Sequence, residues 1–104
     1  MPVEAYRESV VEKYLVKKVK SHESGFTRKV EWAGVRNAPD RLVCLPEWGI
    51  SMLVELKRPG KKATAAQSRE HARLIASGLT VVVFSSISQV DEYFTYLEQK
   101  YGRV

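Results

Sequence analysis

The chain has 104 residues, 44% of them hydrophobic, enough for a single domain spanning residues 1–104 with a core of ordinary proportion. Seventeen Lys and Arg against twelve Asp and Glu leave a formal charge of +5 and a pI near 9.5, an excess that favours a polyanionic partner such as nucleic acid. Cys44 is the only cysteine, which excludes an internal disulfide, a zinc knuckle and a cysteine-rich secreted scaffold, and suits a reducing, intracellular setting.

The N-terminus places Glu4 and Glu8 where a signal peptide would be basic and then apolar, and no apolar run approaches membrane-spanning length. A soluble, unprocessed protein without a membrane partner is expected. From Glu4 to about Ser21, Val11, Leu15, Val16 and Val19 recur at helical spacing with Lys13, Lys17 and Lys20 mostly opposite, which predicts an amphipathic helix. Phe26 to Trp32 alternates and predicts a half-exposed strand, its apolar face formed by Phe26, Val30 and Trp32 but interrupted by Arg28.

Arg41–Leu45 and Ser51–Leu56 are short Val-, Leu- and Met-rich runs around Pro46-Glu47-Trp48-Gly49, the pattern of a hairpin. Pro59-Gly60 ends the second strand, Ala63 to Ser77 reads as a helix, and Gly78 stands where a C-cap is expected. Leu79 to Phe84 is continuously apolar and predicts a strand buried on both faces; Ser88 to Lys100 reads as a closing amphipathic helix begun by a Ser cap. The order α-β-β-β-α-β-α, with one crossover helix, predicts an α/β fold with a mixed sheet flanked by helices.

Glu55 and Lys57 are two residues apart on one strand and so share a face. If Leu45 pairs with Ile50, opposed positions sum to 95 and Asp40 faces Glu55; a slip of one residue would separate them. Two carboxylates and an ammonium at one hairpin end suit phosphodiester hydrolysis. A hard cation such as Mg2+ takes oxygen ligands, so Asp40, Glu55 and a strand carbonyl such as that of Leu56 form a partial shell, and Lys57 can orient water or a phosphate oxygen. Against this stands the simpler reading of Asp40 as a turn residue and Glu55/Lys57 as an exposed charge pair. The strongly apolar strand that Glu55 and Lys57 close, and the matching position of Asp40, favour the site. Glu8 and Glu12 both fall in the apolar stripe of the first helix, at roughly 60° and 100° from Val11, and either could point at the same site. Arg58, Lys61 and Lys62 flank Pro59-Gly60 and would meet a DNA backbone, the alternative being a solvated basic loop; Gln67, one turn from His71, could hold a water or a phosphate, and each of the two otherwise reads as a surface helix residue.

These residues together resemble the VRR-NUC (virus-type replication-repair nuclease) branch of the PD-(D/E)XK nucleases, especially its compact stand-alone phage and bacterial members. Glu12-Lys13-Tyr14-Leu15-Val16 resembles the family's helical glutamate motif, Ala38-Pro39-Asp40-Arg41-Leu42 its aspartate motif, and Val54 through Lys62 its catalytic strand. Gln67, followed by His71, Leu74 and Gly78 before a Val-rich strand, resembles the motif on the following helix. The resemblance covers nearly the whole chain and departs at Asn37, where the family usually has Gly; Asn tolerates positive φ, so the turn should survive. It implies a restriction-endonuclease-like core in which Asp40, Glu55 and the Leu56 carbonyl bind Mg2+ or Mn2+ and Lys57 is catalytic. Glu12, reaching the metal through water, and Gln67 complete that site. It further implies a homodimer acting on branched DNA such as Holliday junctions, inside a bacterium or phage-infected cell. The rival readings are a DNA nickase or nuclease without junction preference, and a branched-DNA-binding module that does not cut.

Overall fold

A computed structural model describes residues 7–102. The order is α1 (Glu8–Lys20), β1 (Phe26–Lys29), β2 (Arg41–Leu45), β3 (Ile50–Leu56), α2 (Ala65–Ala76), β4 (Val81–Phe84) and α3 (Ile87–Tyr101), the expected succession. The first residues of the expected opening helix, Glu4 to Tyr6, and most of the stretch weighed as a signal peptide lie outside the described residues. Among the described residues no helix is long and apolar enough to cross a membrane.

The four strands stand in the order β1-β2-β3-β4, antiparallel except for the parallel β3–β4 pair that α2 bridges. One face of the sheet carries Val43, Leu45, Met52, Val54, Leu56 and Phe84, and these pack with Val11, Leu15 and Val19 of α1 and with Val90, Phe94 and Leu97 of α3. Alternation sends the residues between them, Leu42, Leu53 and Glu55, to the opposite face, where α2 lies against the β3–β4 side. The β2–β3 turn closes through Trp48 and Gly49 N–H bonds to the carbonyls of Leu45 and Pro46, with Gly49 at φ 67°.

The helix ends follow local chemistry. Thr64 and Gln67 form a capping box at the start of α2, and Gly78, at φ 101°, lets the chain leave it just past Ser77. Helix α3 starts earlier than expected, because Ser86 rather than Ser88 is its cap and accepts from the Gln89 N–H at 3.1 Å.

Two strands differ from expectation. The first stops at Lys29, beyond which the Val30 N–H reaches the Asp40 carbonyl at 2.8 Å and the Trp32 indole N–H reaches the Pro39 carbonyl. Its alternation misleads: Phe26 is 38% exposed beneath the Arg28 guanidinium, and the inward side chain is Thr27, whose hydroxyl donates to the Leu42 carbonyl. An edge strand can turn an aromatic ring outward and cover it with a cation. The run from Leu79 to Phe84 is not buried on both faces. As β4 it forms the other edge of the sheet, only Phe84 is buried, and Leu79 is 45% exposed.

Candidate active site

The site is set by the register of the β2–β3 hairpin. Leu45 pairs with Ile50 and Arg41 with Val54, so the next step of the ladder brings Asp40 to Glu55, as the turn length predicted. Glu55 and Lys57 share the face turned toward α2. The Lys57 N–H donates to the Phe84 carbonyl at 2.8 Å, which ties the end of β3 to β4. Ahead of β2, Asn37 takes φ 68° and Pro39 is fully buried, so a left-handed turn followed by a fixed proline delivers Asp40.

Glu55 is only 6% exposed, and its Oε1 has no hydrogen-bond partner. Burial first, then the charge of Asp40 and, more weakly, that of Glu8, push its carboxyl up to about 7 against the opposing pull of Lys57. Facing it from α2, His71 is buried as well, its Nε2 3.7 Å from Glu55 Oε1 and likewise unpartnered. Burial and then the charge of Lys57 lower the His71 pKa. His71 is thus the inward residue of α2, not the surface residue its sequence context suggested. A buried carboxylate oxygen without a donor, with a second carboxylate opposite, is a donor set that fits a hard divalent cation. Among the described residues no three His, Cys, Asp or Glu side chains form a ready-made metal cluster, so a cation here would draw on two carboxylates, a carbonyl such as that of Leu56, and water.

The helical acids divide differently from the sequence reading. Glu8 lies in the field of Asp40 and Lys57: burial, then the charges of Asp40 and Glu12, raise its pKa, and Lys57 opposes them. Glu12 is engaged elsewhere. Its Oε2 accepts from Arg41 Nη2 at 2.7 Å, on the core side of the sheet, so Glu8 rather than Glu12 faces the carboxylates. Periodicity put both acids in the stripe; only the neighbours Asp40 and Arg41, which project to opposite faces, separate them.

Gln67 is also engaged, since its Oε1 accepts from the Thr64 N–H at 3.0 Å and its own N–H donates to Thr64 Oγ1. That bond directs the amide oxygen at the helix start instead of at Glu55. Arg58, Lys61 and Lys62 lie on an exposed turn held by Lys61 N–H to the Arg58 carbonyl, with Gly60 at φ 85°. A basic group that the sequence reading passed over surrounds a cavity of about 480 Å3, where Arg36 and Asn37 meet Arg69 and Arg73 of α2. The signal available was the i, i+4 spacing of Arg69 and Arg73.

No protein-family model matches the chain. A protein described as "Putative nuclease p44", from Acyrthosiphon pisum secondary endosymbiont phage 1, is 48% identical over 80 residues, which cover 77% of this chain and 84% of that one. A solved structure described as a VRR_NUC domain aligns with a TM-score of 0.77 at 36% identity, over 85% of this chain and 94% of that chain. With the hairpin register, the mixed sheet and these two likenesses in agreement, the chain belongs to the VRR-NUC family.

Proposed function

We propose that the chain is a divalent-metal-dependent DNA endonuclease, a single catalytic domain working as a homodimer on branched DNA in a reducing intracellular compartment. The observation that carries the reading is the hairpin register, which ends at Arg41 and Val54 and sets Asp40 beside Glu55, whose buried Oε1 lacks a partner, with Lys57 on the same face. Asp40, Glu55 and the Leu56 carbonyl would hold Mg2+ or Mn2+, which when bound neutralises charge at the scissile phosphate and acidifies water. Lys57 orients the attacking water or a phosphate oxygen. Glu8 takes the helical position that the family resemblance gave to Glu12, and His71 backs Glu55 from α2. Arg58, Lys61 and Lys62 receive the DNA backbone, joined by Arg36, Arg69 and Arg73 at the cavity beside α2.

The homodimer is supported by the open edge of β4 and by exposed apolar surface next to it, Leu79 and Tyr96 being 45% and 50% exposed. A two-fold enzyme suits a substrate needing two symmetric cuts, which is the ground for preferring a four-way junction. The test is cleavage of a labelled four-way junction, a linear duplex and a single strand of matched sequence, in Mg2+ or Mn2+, by the wild type and by Lys57→Ala. Junction-selective cutting that disappears in the variant is the expected result. Equal cutting of all three substrates would leave a general nuclease, and no cutting with either metal would leave a binding module.

A further inference from the structure

On the face of the sheet away from Glu55, a cavity of about 590 Å3 opens between α1 and the start of β2. Lys13, Lys17 and Lys20 line it at i, i+4 and i+7, a row of ammonium groups on one side of the helix about 10 Å long. Val16 supplies an aliphatic wall, and Arg41 the floor. Arg41 is 7% exposed; Nη2 is held by Glu12 and Nη1 donates to Thr27 Oγ1 at 3.1 Å, while Nε has no partner. Four cations against the single carboxylate of Glu12 leave the cleft strongly positive. Among the described residues none of the three lysines has a carboxylate within ion-pair distance, whereas Lys18, on another side of the helix, is paired with Asp91.

A cationic row of this length with an aliphatic wall matches a regularly charged polyanion better than a compact anion, for which three flexible ammonium groups spread over two helical turns are poorly gathered. The cleft also begins one residue from Asp40, so a substrate at the carboxylates would have its continuation within reach. Building on the DNA-nuclease reading, we infer that this cleft seats the phosphodiester backbone of a duplex arm of the substrate, on the far side of the sheet from the cut. The two faces of the sheet then divide the substrate between them: one holds the bond to be broken, the other an arm that leads away from it. Lys13, Lys17 and Lys20 contact phosphates and supply the net positive charge, while the Arg41–Glu12 ion pair forms the cleft floor.

The test is binding of a labelled duplex and a labelled four-way junction, followed by fluorescence anisotropy in EDTA over ~0.05 to 0.3 M salt, because each phosphate contact contributes about 0.9 to the salt slope. The triple variant Lys13→Gln/Lys17→Gln/Lys20→Gln should bind at least about tenfold more weakly and lose about two to three from that slope. The triple Lys→Arg variant, with charge retained, should restore both; Lys100→Gln, on α3, should change neither. A Gln variant with wild-type affinity and slope would overturn the inference alone, leave the nuclease reading standing, and assign the cleft to another partner such as an acidic protein surface. Failure of the Arg variant to restore binding would also overturn it, pointing to helix packing instead of charge. A wild type that binds neither DNA would overturn both readings.

Discussion

His71 Nε2 and Glu55 Oε1 face each other across 3.7 Å, both buried and both without a hydrogen-bond partner. At that separation they do not hydrogen-bond, and the two shifts reinforce the standoff, because Glu55 is drawn toward its protonated form and His71 toward its neutral one.

The first consequence is a pH dependence. Glu55, with a carboxyl near 7, is largely neutral below that pH and a better cation ligand above it, so single-turnover cleavage should rise as pH passes through about 7. More divalent metal should move the rise to lower pH, because a bound cation favours the carboxylate. A rate that falls over the same interval would contradict this assignment.

The same shift has a stability side. A carboxyl raised from 4.5 to about 7 contributes stability that is fully present below about pH 4.5 and lost as pH climbs through 7. In EDTA at pH 8, Glu55→Gln should therefore be more stable than the wild type, by at most about 3 kcal/mol. Chemical denaturation at pH 5 and pH 8 checks it: the advantage should be confined to the higher pH.

Metal binding can be read without any DNA. At a metal concentration tenfold above its Kd, Mg2+ or Mn2+ should stabilise the wild type by about 1.4 kcal/mol, seen as a rise in Tm. Asp40→Asn and Glu55→Gln should abolish the rise while Lys57→Ala keeps it. A rise of equal size in all the variants would place the cation elsewhere.

The two helical acids should part company under mutation. Glu8→Gln should slow cleavage about ten- to hundredfold with little loss of stability, as a group beside the ligands would. Glu12→Gln should instead cost about 1–3 kcal/mol, since it leaves the guanidinium of Arg41 buried with a weaker partner. Cleavage rates with parallel denaturation curves separate the two.

Gln67 and Thr64 offer a comparison of the same kind. Each maintains the other in the capping box, so Thr64→Ala and Gln67→Ala should each cost about 1 kcal/mol. If Gln67 acts only as a cap, the two variants should lose cleavage equally. A markedly larger loss in Gln67→Ala would return it to the site.

Much of the fold could be read directly from the chain. The four residues Pro46 to Gly49 dictate the Leu45–Ile50 pairing, and from it alone the meeting of Asp40 with Glu55 follows. The failures have physical causes. Hydrophobic runs report burial poorly at sheet edges, where β1 exposes Phe26 and β4 exposes Leu79. Helical periodicity gives an angle around an axis but no depth along it, so Glu8 and Glu12 looked equivalent until the partners of each, Asp40 and Arg41, were placed. His71 was hidden because α2 carries few large apolar residues, and the helix buries its histidine where a leucine would normally mark the inner face.

Asp40 and Arg41 are adjacent yet serve opposite sides of a sheet one strand thick, and this makes the segment intolerant of change in a particular way. Residues can be added or removed at the exposed turn from Ala33 to Val35 so long as the Asn37 turn and the pairing of Arg41 with Val54 hold. A deletion or insertion that slips β2 by one place would exchange the two charges, turning a guanidinium toward Glu55 and a carboxylate toward the lysine row. Both compartments would be lost in one event, with the number of charges unchanged. Relatives that keep both should vary in the length of that exposed turn but never in the parity of this strand.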